Sequence, residues 1–379
     1  MLPYLGDKWG NPSSSYRFGS QLRRVLESAR AQVAELIGTS PREILFTSCG
    51  TESNNAAIHA ALKANPLKRH IVTSAVEHSS VLNYCQALEK NGYRVTYLPV
   101  DCDGLLKLAD LENAITENTA IVSLMWANNE TGVLFPVREI AELCRSRGVL
   151  YHCDAVQAVG KLPTNLCDLP ADYLSLTGHK LHAPKGIGAL YVRRKTPFSP
   201  FIHGGHQERG LRGGTENVAL IVALGKAAEL ARKQLPGYDA KVRPLRDALE
   251  RGILGHPHNR PADTISPTGG DGRDAVAGIP GTELNGHPEL RLANTTNITF
   301  HGIESEALLL LLDQEGVCAS SGSACLADSD EPSHVVKAMK PDTGASRQMI
   351  RFSLGTETAP AQIELTLAGL RRAVKALRT

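Results

Sequence analysis

Between about residues 40 and 195, short apolar runs alternate with amphipathic stretches. Residues 43–48 (EILFTS) read as a strand, followed by a helix from Thr51; residues 70–75 read as a strand, followed by a helix over 79–90. Five more strands are expected at 93–100, 119–127, 149–155, 171–177 and 187–194. Most of these runs are continuously apolar rather than alternating, which suits a sheet covered on both faces. Strands that alternate with helices imply a largely parallel α/β sheet. Residues 215–235 read as one long helix, and beyond it the texture changes. Short strands are expected at 297–300, 318–323 and 350–354, and helices at 304–315 and 361–377. The pattern therefore predicts a large domain over 1–235 and a smaller α+β domain over 236–379. Residues 255–294, rich in Gly, Pro, Asn and Asp, read as a surface insertion.

Composition narrows the function classes. The chain has 379 residues, 42% of them hydrophobic, enough to bury a sizeable core. A formal net charge of +2 gives no case for a nucleic-acid or anionic-membrane partner. No apolar run approaches the roughly 20 residues of a membrane span. The opening MLPYLGDKWGNPSSS lacks the basic and apolar regions of a secretory signal, so a cytoplasmic protein is expected. Eight cysteines (Cys49, Cys85, Cys102, Cys144, Cys153, Cys167, Cys318 and Cys325) include no CxxC pair. A chain this long needs no disulfide framework, and most of them read as buried small hydrophobes, Cys318 among them.

Chemistry-bearing residues recur after the apolar strands. In TSCGTES (47–53), Gly50 and Thr51 open a helix. They read either as a helix cap or as an anion site built from exposed amides and a hydroxyl. Asp154 ends the strand of VLYHCDAVQ, where a carboxylate is costly without a positive partner. It is either an N-cap or the acid that keeps a pyridine ring protonated. Thr177 and His179 in SLTGHK can donate to phosphate, and Lys180 can form a Schiff base with an aldehyde if partly desolvated, or be a solvated surface lysine. His78 in VEHSS is either structural or placed to stack on a ring or shuttle protons. Asn129 in ANNETG follows a further strand. The carboxyl edge of a parallel sheet is where ligands bind, and five polar motifs after five strands converge there. Cys325, in CASSGSACLADSDEPSH (318–334), sits among Ser, Gly and Ala, a setting that leaves a thiol accessible. Its acidic neighbours Asp328, Asp330 and Glu331 do not lower its pKa.

Taken together, TSCGTESN, VEHSSVL, MWANNETG, HCDAVQAVGK, SLTGHKLHAPKG, GGHQERGLRGGTEN and SSGSAC…EPSHV closely resemble the cysteine desulfurases, class V aminotransferases of the fold-type I pyridoxal-phosphate (PLP) enzymes. MWANNETG and GGHQERG look most like the nitrogen-fixation branch, which supplies sulfur for nitrogenase clusters. The resemblance implies that Lys180 carries the cofactor and moves the substrate α-proton. It assigns the phosphate to Gly50, Thr51, Thr177, Gly178 and His179, and to Thr215 from the other subunit of a homodimer. Asp154 meets the pyridine nitrogen, Gln157 the ring oxygen and His78 the ring face. Asn129 contacts cofactor and substrate, and Arg351 clamps the substrate carboxylate. Cys325 receives the sulfur of L-cysteine as a persulfide, alanine leaves, and an iron–sulfur scaffold protein accepts the sulfur. The same cysteine can enter a transient [2Fe-2S] site shared with the scaffold. On this scaffold the alternatives are a selenocysteine lyase and a truncated, non-catalytic scaffold-binding homologue; a true aminotransferase is more remote.

Three departures from the family pattern bear on this. A leading segment with a Tyr-Leu-Asp-Asn-Asn-Ala-Thr-Thr-like motif is missing, and Met1 stands in what reads as the first helix. Either the start lies further upstream or part of the substrate pocket is absent. The 255–294 region looks longer than usual. SLGTETAP replaces the commoner SLGRFTT after Arg351.

Overall fold

A computed structural model describes residues 1–255, 277–322 and 331–379. They divide into two compact units. One comprises Met1–Leu98, Leu106–Ala127 and Phe135–Pro236; the other comprises Pro99–Leu105, Asn128–Leu134 and Gly237–Thr379.

The first unit is built on seven strands: β1 (Ile44–Thr47), β2 (His70–Ser74), β3 (Arg94–Leu98), β4 (Thr119–Met125), β5 (Leu150–Asp154), β6 (Tyr173–Thr177) and β7 (Gly188–Val192), in the order β1-β7-β6-β5-β4-β2-β3. From β3 through β2, β4, β5 and β6 the pairing is parallel, as the α/β pattern predicts. Only β7 runs against its neighbours β6 and β1. The connection over 178–187 is too short for the dozen or so residues that a parallel crossover requires. Strands β1, β2, β4 and β6 are buried along their whole length, and β5 at every position after Leu150. That explains their unbroken apolar runs. Polar side chains inside the sheet are bonded to each other. His152 is fully buried, with Nδ1 2.8 Å from Ser123 Oγ and Nε2 2.9 Å from Ser175 Oγ. Burial pushes its pKa down to about 3, so this histidine is a neutral core residue.

The second unit carries an antiparallel sheet β10-β9-β8, formed by β8 (Thr282–Leu284), β9 (Thr295–Phe300) and β10 (Met349–Ser353). Ile298 and Phe300 of β9 and Ile350 of β10 share a core with Leu308 and Leu312 of the helix Ser305–Gln314 and with Leu370 of the helix Pro360–Arg378.

Several sequence expectations are corrected. The helix expected over 215–235 spans Val218–Leu254 and runs through Pro236 and Gly237. Proline removes one backbone donor, but the Ala-, Leu-, Lys- and Arg-rich sequence on both sides carries the helix past it. No strand forms at Cys318–Gly322; the local contact is an isolated bridge between Ser320 and Arg351, and Cys318 is exposed rather than buried. Met1 lies before a single turn of 3-10 helix, Leu2–Tyr4, and the first α-helix is Arg17–Ser20. Residues 279–294 are not a surface insertion. They include β8 and the buried Ile279, Asn285, Arg291 and Leu292. Asn285 bonds Asn297 and Thr299, each at 2.8 Å, and both terminal nitrogens of Arg291 bond the buried Glu250 carboxylate. Side-chain partners let a polar sequence enter a core, which composition alone does not reveal. The rest of the expected insertion, 256–276, lies outside the described residues.

Candidate cofactor and substrate site

β1, β2, β5 and β6 point the same way, so their carboxyl ends bring Gly50, His78, Asp154 and Lys180 to one edge of the first sheet. The helix Gly50–Ala64 begins with Cys49 as N-cap and no side-chain cap. Its first amides therefore remain available to an anion, and of the two readings of this motif the cap has no hydrogen bond behind it. A Cβ on Gly50 would meet Val156 Cγ2 at 3.0 Å and Thr177 Cβ at 3.6 Å. The helix start is thus pressed against the β5 and β6 ends. Gly178 is tighter, since a Cβ there would lie 2.7 Å from Ile187 Cγ2.

Thr177 Oγ1 lies 3.2 Å from His179 Nδ1, and Thr51 and His179 are exposed. Burial, together with Lys180, Lys185 and His78, pushes the His179 ring below its usual pKa. Burial is the larger cause; the neighbouring positive groups add to it, and a phosphate would offset their part. Lys180 is half-buried in the turn Gly178–Leu181. Thr215 is exposed on the loop ahead of Val218. This loop is tied back to the anion cradle. Arg212 reaches both Glu52 oxygens at 3.0 and 3.2 Å, and Glu52 also accepts the Ser48 amide at 2.8 Å. Burial opposes the charge, yet Arg212 and Ser48 hold the Glu52 carboxyl below its usual range. The loop bends through Glu208 and Arg209, both with positive φ. The buried Arg30 pins it there, gripping both Glu208 oxygens at 2.7 Å.

Asp154 is buried. No helix follows it: Oδ1 takes the Val156 amide at 3.0 Å in a turn, and Oδ2 takes Asn54 Nδ2 at 2.7 Å. Asn54 also reaches Ser80 Oγ at 2.9 Å, which lies 2.8 Å from His78 Nδ1. His78 caps the helix Ser79–Glu89 through its own ring, accepting the Ser80 amide at 3.1 Å. Burial pushes the Asp154 carboxyl up against the opposing pull of the Val156 amide, His78 and Asn54. Burial thus outweighs the partners the protein supplies, and a cationic ring nitrogen would oppose that rise. Asn54 Oδ1 is buried with no hydrogen-bond partner among the described residues. The residues of this edge therefore fit PLP: an anion cradle, an acid short of a cation, and a half-buried lysine. Gln157 Oε1 accepts Lys161 Nζ at 2.8 Å, leaving its side-chain amide nitrogen to donate to a ring oxygen.

Two of the residues singled out in the sequence, Asn129 and Arg351, belong to the second unit. Arg351 on β10 donates from Nη1 to the Asn129 carbonyl at 2.9 Å, and its backbone bridges to Ser320. Asn129 Oδ1 is buried without a hydrogen-bond partner among the described residues. Cys325 lies outside the described residues.

Sequence reasoning missed Asn54 and Ser80 as the supports of Asp154 and His78, the Glu52–Arg212 tie, and Glu77. Glu77 is fully buried, with Oε1 accepting Ser74 Oγ at 2.7 Å and the Met125 amide at 3.1 Å. Burial raises its pKa from 4.5 to about 8, with Asp154 adding to the rise. The folded protein thus keeps a proton that the unfolded chain loses, so this group's contribution to stability is full below about pH 4.5 and fades as pH rises to about 8. Glu77→Gln, which cannot titrate, is expected to flatten that fall by on the order of 4 kcal/mol between about pH 5 and pH 8. Urea midpoints measured across the range test this; parallel curves for variant and wild type would refute it.

The described residues include no helix long and apolar enough to cross a membrane. The aminotransferase class-V family model matches residues 1–264 and 272–365. A cysteine desulfurase of Trichormus variabilis is 52% identical over all of this chain and 89% of its own length. Cysteine desulfurase NifS of Azotobacter vinelandii is 47% identical with the same coverage. A solved structure described as a NifS-like protein superposes with a TM-score of 0.86 at 34% identity, covering all of this chain and 94% of its own. Matched along its whole length in both sequence and fold, the chain belongs to the class-V aminotransferase family and, within it, to the cysteine desulfurases.

Proposed function

We propose that the protein removes the sulfur of L-cysteine as a cysteine desulfurase with PLP as its cofactor. The observation that carries this is Asp154, a buried acid at a sheet edge whose protein partners do not offset its burial. Gly50, Thr51, Thr177, Gly178 and His179 hold the phosphate, and Thr215 reaches the phosphate of a second subunit. Asp154 meets the ring nitrogen, Gln157 the ring oxygen and His78 the ring face. When bound, PLP delocalises the negative charge left at the substrate α-carbon. Lys180 holds the cofactor and moves the proton at that carbon. Arg351 takes the substrate carboxylate, with Asn129 beside it. The Cys325 thiolate attacks the substrate sulfur, the carbon–sulfur bond breaks, and a sulfur–sulfur bond forms. Cysteine and the enzyme thiol become alanine and the enzyme persulfide, with no outside oxidant.

The nitrogen-fixation naming of the Azotobacter vinelandii relative supports a role in supplying sulfur for nitrogenase clusters. On this reading an iron–sulfur scaffold protein accepts the sulfur, Cys325 serves as a transient [2Fe-2S] ligand during transfer, and the enzyme works as a cytoplasmic homodimer. The test is product analysis. With PLP, L-cysteine and a reductant, alanine and sulfide should appear in equal amounts. Pyruvate and ammonia in place of alanine, or no turnover, would overturn the proposal.

A further inference from the structure

Glu130 follows Asn129 in the ANNETG motif, and the roles above leave it unused. It is fully buried in the second unit. Its backbone is fixed at both ends: Asn128 Oδ1 accepts the Glu130 amide at 2.9 Å, and Asn297 Nδ2 of β9 donates to the Glu130 carbonyl at 3.2 Å. The side chain is thereby aimed. Oε2 accepts the Ser333 hydroxyl at 2.5 Å. Ser333 in turn accepts the Val336 amide at 3.0 Å and so caps the helix His334–Met339. On the other side of the carboxylate is Gly322, with φ +97°, where a Cβ would come within 3.2 Å of Oε2 and 3.6 Å of Oε1. Only glycine combines that backbone with so close an approach. The same carboxylate thus faces Gly322 before Cys325 in the chain and bonds Ser333 after it.

The stem that ends at Gly322 is also joined to the substrate-carboxylate arginine. Ser320 and Arg351 exchange backbone hydrogen bonds at 2.7 and 3.2 Å, and Arg351 Nη1 holds the carbonyl of Asn129, the residue before Glu130. A cavity of about 880 Å³ in this unit is lined by Glu130, Ser320, Ser333 and Arg351, among others. Glu130 Oε1 is buried with no hydrogen-bond partner among the described residues. A buried carboxylate left with an unused oxygen is an expensive structural element. A core residue would serve packing better with an apolar side chain.

We infer that Glu130 is a positioning residue for sulfur transfer, fixing Gly322 and Ser333 relative to Arg351 so that the cysteine carried between those two stems meets a substrate held by its carboxylate. This deepens the desulfurase reading and rests on it. A misplacement of about 1 Å at a reacting pair can cost on the order of 100-fold in rate. Glu130 acts only on the transfer, so binding and the earlier proton step should survive its loss.

The test uses the full chain loaded with PLP. Glu130→Ala is expected to lower single-turnover alanine formation and Cys325 persulfide, read by mass spectrometry, by on the order of 100-fold. Ser333→Ala, which removes one hydroxyl, should lower them by about tenfold. PLP content and the absorbance change on adding cysteine should stay at wild-type values in both. Rates within about twofold of wild type in both variants overturn the inference. So does a rate loss that only tracks lost PLP content or a lost absorbance response, the mark of a general folding role. If Glu130→Ala does not fold, Ser333→Ala decides by the same two readouts. A wild-type chain that makes no alanine fails the desulfurase reading itself; an active wild type with unaffected variants fails this inference alone.

Discussion

Lys180→Ala is expected to abolish covalent retention of PLP and to lower alanine formation by at least about 1000-fold. On the proposed mechanism two roles fall on this one amine: holding the cofactor and moving the α-proton. Its setting suits both. The turn Gly178–Leu181 follows β6 directly, and Gly178 is packed against Ile187 with no room for a Cβ, so the backbone that presents Lys180 is fixed. The side chain is half-buried beside His179 and close enough to depress that ring's pKa. Lys185 also acts on His179 and is the natural competitor. Borohydride reduction of the holoenzyme followed by peptide mapping separates the two. The label should fall on Lys180, and Lys185→Ala should keep both label and activity. A label on Lys185, or a Lys180→Ala variant that retains PLP through desalting, would reverse the assignment.

The sheet was legible because burial on both faces leaves a simple mark. β4 and β6 are buried at every position, so their sequences are apolar or hold polar groups that bond within the sheet. The candidate site stood out in the sequence for the converse reason. Asp154 stands at the end of such a run, where a charge has a cost and therefore a use. Length and pairing left no such mark in β8, three residues long in a polar stretch, which pairs with the distant β9, nor in the adjoining Asn285, whose side chain is buried against Asn297 and Thr299. Pro236 misled because a local rule predicted a stop that the flanking helix outweighed. Glu77 and Glu130 are the instructive pair. In sequence each is an ordinary acid beside a more conspicuous neighbour, His78 or Asn129. In the fold both are fully buried, one against Ser74 and the Met125 amide, the other against Ser333 and Gly322. Burial of a charged group is set by tertiary contacts, so no window of sequence distinguishes these acids from solvated ones.

Cys325→Ala should separate cofactor chemistry from sulfur transfer. The variant is expected to bind PLP and to change absorbance on adding cysteine as wild type does, because the cradle of Gly50, Thr177 and Gly178 and the acid Asp154 are untouched. Sulfide and alanine should fall by at least about 100-fold, because a carbon–sulfur bond cannot be cleaved in this way without a thiolate to accept the sulfur. Cys318 is the control. It is exposed and lies seven positions earlier, beside Ser320, whose backbone pairs with Arg351. If nearness to the arginine were enough, Cys318 could take over, and Cys318→Ala would then be the damaging change. The expectation is that Cys318→Ala keeps nearly full activity. Selenocysteine gives the third arm, since selenium leaves more easily and depends less on an attacking thiolate. Turnover of selenocysteine by Cys325→Ala alongside lost cysteine turnover fits a desulfurase whose remaining site is intact. Undiminished desulfuration of cysteine by Cys325→Ala would remove Cys325 from the reaction, and with it the reason for holding Gly322 and Ser333 on one buried carboxylate.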